Sequence, residues 1–472
     1  DVTFTGAVPD LILDGDVTVT VRDLDPRVVI DVISNGHVTI VSPKNPARDP
    51  LAGGGALNIG QVIAKGTDGS FFDVSIESYY GINQVPGGQS LIQGQTIDLD
   101  AGQGSIDVRV DSAADDVSGG LTAKAGGNIN LTEVTGDLRL NPVDSAGASV
   151  DAVGNVTLTA VNGAILDAVY EGVGEEDLAG ATMNQAMIAA LLPHDPLAEQ
   201  TFEEPVEQLN VRGAHVVLDS VTDDIGGVSA IVTIANPFSE DALPAAHQAL
   251  LGRASVDDII DVSYVRYEYV GPEASVFDLS REGTFAGGLW KKVDGTATTT
   301  QPILSSLDGL SEVQQGQWVE DRRQVASVTL QVRDDLDIDA TLLTARSQGD
   351  IVLDLADDLR LASDGISDGI ASAAGGLDLR VAGDVTSGVA GVALQSADSL
   401  VLEAAGSVAE SDVLPLQISV GESLRVLADG PVSLLHTGDL RVGYVVSDAA
   451  IDLEIHDGSL LQGVEIADAG QT

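Results

Sequence analysis

The segments Ile351-Val352-Leu353, Leu377-Asp378-Leu379, Leu400-Val401-Leu402, Leu424-Arg425-Val426 and Ile451-Asp452-Leu453 decide the fold. Their first residues lie 26, 23, 24 and 27 positions apart, and Gly, Asp or Ser usually precedes each one. A second series, Leu359, Val385, Val408, Val432 and Leu460, follows the first at offsets of 8, 8, 8, 8 and 9. Two interleaved series that keep one offset mark an internal repeat. Leu416 and Leu440, each eight residues beyond the second series, mark a third segment per turn. The expectation is an all-β fold: a right-handed parallel β-helix, or solenoid, of about 24 residues and three strands per coil. The hand follows from the general preference for right-handed crossovers.

Within a segment, apolar and polar residues alternate, as in Leu138-Arg139-Leu140, Leu359-Arg360-Leu361, Leu379-Arg380-Val381 and Leu440-Arg441-Val442. Strand geometry then sends the apolar pair inward and the Arg outward. Gly-Asp recurs at strand starts (Gly15-Asp16, Gly136-Asp137, Gly349-Asp350, Gly383-Asp384, Gly438-Asp439). The reading there is a corner, with Gly permitting positive φ and Asp capping its own turn. The same grammar covers the N-terminal third. Ile97, Leu121 and Val150 form one series, Ile106, Ile129 and Val156 another, and Leu138 and Ile165 supply third strands. In the first 90 residues, 17–21 and 37–41 read as strands, but the period is blurred.

Two segments interrupt the repeat. Residues 169–204 read as a helical insertion, with Met183, Met187 and Leu191 at i, i+4 and i+8 and Glu175, Glu176 and Asp177 near the amino end, where the helix dipole favours acids. The Met stripe reads as a face against the solenoid. A coil resumes over 205–236, with Leu209-Asn210-Val211, Val216-Val217-Leu218 and Ile225. Residues 237–325 hold Phe238, Tyr264, Tyr267, Tyr269, Phe277, Phe285, Trp290 and Trp318, half of the chain's aromatics. That stretch reads as an aromatic-rich insertion or subdomain, with 262–270 as its best strand. The coils therefore occupy 1–168, 205–236 and 326–472.

Composition agrees with strands and turns. Of 472 residues, 44% are hydrophobic, 3% aromatic and 53 are Gly. Twenty-two Lys and Arg against 73 Asp and Glu leave a net charge of −51, which repels phosphate backbones and anionic headgroups. Nucleic-acid binding is therefore disfavoured. The absence of Cys rules out disulfides and thiolate chemistry. No stretch reaches about 18 apolar residues, so membrane insertion is not expected. The chain opens at Asp1 without Met, basic n-region or apolar h-region. A soluble, processed, extracellular piece is the expectation.

No catalytic constellation stands out. Acid pairs occur at Asp115-Asp116, Asp223-Asp224, Asp257-Asp258, Asp334-Asp335 and Asp357-Asp358, as 73 acids make unavoidable. Enzymes that cleave polysaccharides use paired carboxylates, so a glycosidase or lyase is the competing class. No His, Arg or Lys cluster accompanies any pair. His37, His194, His215, His247, His436 and His456 are dispersed, without metallohydrolase spacing. Gly365-Ile366-Ser367-Asp368-Gly369 matches a nucleophile elbow formally but sits between coil strands, where a corner is the better reading. Calcium is the one ligand the pattern admits, since stacked coils bring outward Asp close together. Yet no β-roll nonapeptide or EF-type loop is present, and a solvated acidic surface is the plainer reading.

The runs 154–160 (Gly-Asn-Val-Thr-Leu-Thr-Ala) and 162–168 (Asn-Gly-Ala-Ile-Leu-Asp-Ala) resemble repeats of giant bacterial surface proteins of the filamentous-haemagglutinin-like and LEPR-XLL types. Residues 267–272, with 278–280 and 289–290, are similar to an insert recurring in those proteins. The resemblance, over about two thirds of the chain, implies a right-handed parallel β-helix at the cell surface that serves as spacer, adhesin or matrix fibre. It brings no catalytic residues. Expected partners are neighbouring copies, other segments of the same giant protein, or a cell-surface glycan or matrix. A polysaccharide-degrading β-helix enzyme and a carbohydrate-binding module centred on 237–325 remain the alternatives.

Overall fold

The computed structural model describes residues 2–4, 11–21, 29–44, 55–85, 90–112, 120–141, 147–167, 209–235, 259–269, 290–299, 318–319, 323–365, 368–409 and 414–462. These residues are all-β, and none of them forms a helix long and apolar enough to cross a membrane. The helix expected over 169–204, with its Met183, Met187 and Leu191 stripe, lies outside the described residues. The chain divides into two compact units, one of Asp1–Gly172, Val206–Gly227 and Asp334–Glu465, the other of Val173–Pro205, Val228–Arg333 and Ile466–Thr472.

The first unit is one sheet of 32 strands in which the strand pairs are parallel. Most strands pair with one about two dozen residues further along the chain. Ile106 pairs with Ile129 and Ile129 with Val156. Leu138 pairs with Ile165. Ile351, Leu377, Leu400 and Leu424 follow one another, as do Leu359, Val385, Val408 and Val432. One inward column runs without a break through Val19, Ile40, Ile76, Leu99, Ala123, Val150, Val211, Ile338, Leu355, Val381, Ala404 and Ala428, all buried. At ~4.8 Å per step it is about 50 Å long. Its aliphatic composition answers the alternation of every strand, which puts one side chain in two inside. Each fully buried Val, Leu or Ile contributes about 1.5–3 kcal/mol.

Four register expectations differ from what the fold adopts, one being Leu460, which pairs with Leu440 rather than following Val432. Val150 pairs with Ala123 rather than Leu121, whose partner on that side is Leu140. Leu121 and Ala123 both face inward, so a two-residue shift leaves the apolar pattern intact. Ile451 pairs with Val432 rather than following Leu424, which meets Val442, and Leu416 pairs with Leu434 rather than Leu440. The cause is Val432–Thr437, a strand that runs straight through a position where earlier coils turn, so the final coils need fewer residues. In the first 90 residues the period is blurred by one long spacing: Val38 pairs with Val74, and part of the excess is a hairpin closed at Lys65 and Phe71.

Register survives the largest interruption. Val211 to Ser220 pairs with Ile338 to Ser347, partners 127 positions apart at Arg212 and Asp339. The second unit's described strands form a five-stranded sheet ordered Gly227–Ala235, Arg323–Asp334, Ile259–Tyr269, Trp290–Thr299, with Trp318–Val319 beside Arg323–Asp334. The pairings with recorded register are antiparallel. Ile259–Tyr269 contains residues 262–269 of the expected strand. Gly227–Ala235 and most of Arg323–Asp334, read from the repeat as coil, belong to this second sheet. Alternation reads the same in either sheet and does not encode the partner strand.

Candidate interaction surfaces

The corners carry the most regular polar chemistry. Asp16 Oδ1 accepts the backbone N–H of His37, Asn128 that of Asn155, Asp137 that of Ala164 and Asn210 that of Asp337. Asp224 accepts from Asp350 and Asp350 in turn from Gly376. Asp358 accepts from Asp384, and Asp384 from both the N–H and the hydroxyl of Ser407. Asp439 accepts from Ser459. Each side chain thus caps the start of the next strand in its ladder, not its own turn. The Gly before Asp has two separate reasons. Gly15, Gly136 and Gly438 adopt positive φ, of 82°, 71° and 102°. Gly349 and Gly383 do not, but a Cβ there would lie 1.9 Å from Asp224 Oδ1 and 2.1 Å from Asp358 Oδ1. The acid reaching over from the preceding coil requires the glycine.

These contacts engage at least one member of each described acid pair. Asp224 and Asp358 cap corners, Asp223 accepts the N–H of Asp224, and Asp335 lies 3.5 Å from Arg380 Nη1. Asp115-Asp116 and Asp257-Asp258 lie outside the described residues. The His residues stay apart. His37 Nδ1 is 3.1 Å from Asp73 Oδ2, with its ring edge-on to Phe72. His215 meets Thr344, and exposed His456 meets Glu454. His436 is buried between Ile418 and Ile455 with no partner on Nδ1, and His194 and His247 are outside the described residues. Ser363 and Asp368 bridge antiparallel around the elbow-like sequence, with Gly365 and Gly369 at φ 84° and 67°; Ile366 and Ser367 are not described. That is corner geometry. Among the described residues no three His, Asp or Glu side chains gather to hold a metal ion, so no calcium ligands are assigned.

Part of the outward face stacks charges in alternating sign, although Glu77 precedes Asp100 and Asp337 precedes Asp354. Asp100, Lys124, Asp151, Arg212 and Asp339 occupy successive rungs, with Arg212 Nε 3.0 Å from Asp339 Oδ2 and Nη1 3.8 Å from Asp151 Oδ2. Arg346 grips Asp219 on the adjacent rung, and this hydrogen bond holds the guanidinium pKa above its ordinary value. Burial weighs against the Arg380 charge. Asp335, Asp378, Glu403 and Asp354 outweigh it and raise its pKa. Within the N-terminal coils, Lys44 lies 4.9 Å over Tyr79, which meets Tyr80 edge-on, so these aromatics are engaged by packing and a cation.

Some inward rungs break the apolar rule, and Glu133 is the most deeply buried acid among the described residues. Glu133 sits between Val110 and Ala160 in a column that continues through Ser220, Ser347, Ser372 and Ser396. Its carboxyl accepts the N–H and hydroxyl of Ser112 and the N–H groups of Val134 and Thr135. Burial nonetheless pushes it up to about 8, and nearby Asp111 adds to the shift. Sequence reasoning passed over Glu133. The signal was an acid at the inward parity of Ile129-Asn130-Leu131-Thr132-Glu133.

The last coil is different again. Ile451 and Leu460, which continue the inward columns of Val432 and Leu440, are 47% and 60% exposed, whereas those columns are buried before them; Tyr444, Val446 and Leu461 are exposed on the outward face. Ile451–His456 pairs only with Val432–Thr437, and Leu460–Gln462 only with Leu440–Val442, among the described residues. Against known families, curated proteins and solved structures the chain finds no match, so these surfaces are read on their own geometry.

Proposed function

We propose that the chain is a non-enzymatic structural segment of a large secreted or cell-surface bacterial protein, a stalk, adhesin or filament-forming unit. Its parallel ladders are read as the coils of a right-handed β-helix, three strands and about 24 residues to a coil. The carrying observation is the unbroken register between Val211–Ser220 and Leu336–Ser347 across residues 228–333. A parallel sheet that keeps its core column although more than a hundred residues intervene in the sequence is suited to serve as a stiff structural part. The corner carboxylates add a reason for the acidic composition: they fasten coil to coil by accepting backbone N–H groups. Residues 228–333 are the segment we assign to contacts with a glycan or matrix.

Negative-stain electron microscopy of the purified chain tests this reading. Short rods about as long as the stacked column are the expected result. Round particles without a long axis overturn it. A screen against acidic and neutral polysaccharides completes the test, because cleavage abolished by changing one acid pair would replace the structural role by an enzymatic one.

A further inference from the structure

Resting on the assignment of residues 228–333 to glycan contacts, we infer that one face of the antiparallel sheet binds a glycan through Tyr267, Tyr269, Trp290 and Trp318, and that the sugar is acidic. Residues paired directly across antiparallel strands share a face, as do residues two apart on one strand. Asp261 pairs with Thr329, Ser263 with Ser327 and Thr298, and Val265 with Gln324 and Thr296. Tyr267 pairs with Lys292, Tyr269 with Trp290, and Gln324 with Trp318 on its other side. All of these occupy one face. The residues between them occupy the other: Val262 with Val328, Tyr264 with Val325 and Ala297, Arg266 with Arg323, and Glu268 with Lys291. Where the two faces can be compared, over 261–265, they differ in kind. Val262, Val328, Tyr264 and Val325 make the second the packing side of a sheet buried on one face, and Asp261, Ser263, Ser327, Thr298 and Thr329 give the first the polar pattern of its opposite side. Yet that polar face ends in Tyr267, Tyr269 and Trp290, with Trp318 two strands over. Aromatics with a flat apolar body and a polar tip, set on the polar side of a sheet, suit a ligand that offers C–H faces and hydroxyls together, which is a sugar.

Charge selects the class of sugar. The chain has 22 Lys and Arg to 73 Asp and Glu. At the aromatic end of this sheet the ratio is inverted: residues 265–269 and their recorded partners hold Arg266, Lys291, Lys292 and Arg323 against Glu268. Lys292 shares the face of the four aromatics, directly opposite Tyr267. Arg266 and Arg323 pair with each other, and like charges directly opposite cost stability that a bound anion offsets. A long polyanion would still meet the chain's net charge of −51. A glycan with one acidic sugar meets only the local cations, because charges beyond about 8 Å are screened at physiological salt. The occupant is therefore a glycan whose acidic sugar lies against the aromatic face with its carboxylate toward Lys292.

Both tryptophans of the chain lie on this face, so tryptophan fluorescence of the full chain reports on it alone. Emission of solvent-exposed indole, quenched by acrylamide, is expected. Blue-shifted emission that acrylamide does not quench in the folded chain means a packed core and overturns the inference. The full chain is then probed against a printed array of acidic and neutral glycans, and the acidic glycan it holds best is titrated by fluorescence. Trp290→Ala is expected to weaken that binding about tenfold. Lys292→Gln is expected to weaken it about threefold and to leave the uncharged analogue of the same glycan unaffected. Circular dichroism checks that each variant folds; should Trp290→Ala not fold, Lys292→Gln decides the question. An array with no bound glycan overturns the inference together with the assignment it rests on. Glycans that both folded variants hold as tightly as the parent overturn this face and leave that assignment standing, and binding confined to neutral glycans overturns the acidic class.

Discussion

Glu133 occupies a rung where four donors favour the carboxylate and burial opposes it, and burial is the larger effect. Its native pKa, about 8, lies above the ordinary 4.5, so between these values the folded state keeps a proton that the unfolded state has lost. Stability from this group is therefore complete below pH ~4.5 and is lost as pH rises through about 8, at about 1.4 kcal/mol per unit. Glu133→Gln removes the ionisation, so the variant is expected to melt with the parent at pH 5 and above it at pH 9. Equal melting temperatures at both pH values would refute the assignment. Asp384 behaves in the opposite sense. Its hydrogen bonds from the Ser407 N–H and hydroxyl hold its pKa below the ordinary value, so its contribution is present near neutrality and fades as acid protonates it. Asp384→Ala is expected to cost about 0.5–2 kcal/mol in denaturant unfolding. Asp384→Asn should cost little, because Asn128 caps its neighbouring coil through the same oxygen.

At the scale of strands and ladders, Lys124 separates Asp100 from Asp151 on one outward column. Lys124→Glu would set four acids, Glu77, Asp100, the new Glu and Asp151, on consecutive rungs. A lower melting temperature, recovering in 1 M NaCl, is expected, since exposed charges at this spacing are screened by salt. A loss that salt does not recover would point to packing instead. The ladders were legible in sequence wherever each coil turned at the same corners. Ile106, Ile129 and Val156, or Ile351, Leu377, Leu400 and Leu424, pair as their spacing indicates. Ile451 was misread because nothing in Val432-Ser433-Leu434-Leu435-His436-Thr437 announces that a corner has been dropped. Val150 was misread because Leu121 and Ala123 offer equivalent inward rungs. The corner acids were recognised as turn residues but not as inter-coil caps. Their partners lie a full coil away, as Asp350 and Gly376 do, beyond the reach of any local motif.

For the parallel unit as a whole, a net charge of −51 on the chain would by itself favour expansion. Two features of the fold moderate it. Cations are interleaved among stacked acids, as at Arg212 and Arg380, and many carboxylates are committed to backbone N–H groups at corners. What remains is diffuse repulsion, relieved by ionic strength rather than by a particular ion, because no described trio of acids converges on one point. Melting followed by circular dichroism in NaCl and in CaCl2 at matched ionic strength separates the two mechanisms. The melting temperature is expected to rise with salt up to about 0.5 M, where the screening length falls to a few ångströms, and to depend little on which salt supplies it. A saturable extra rise in millimolar CaCl2, abolished by chelator, would show that outward carboxylates bind calcium specifically, and the diffuse account would fail.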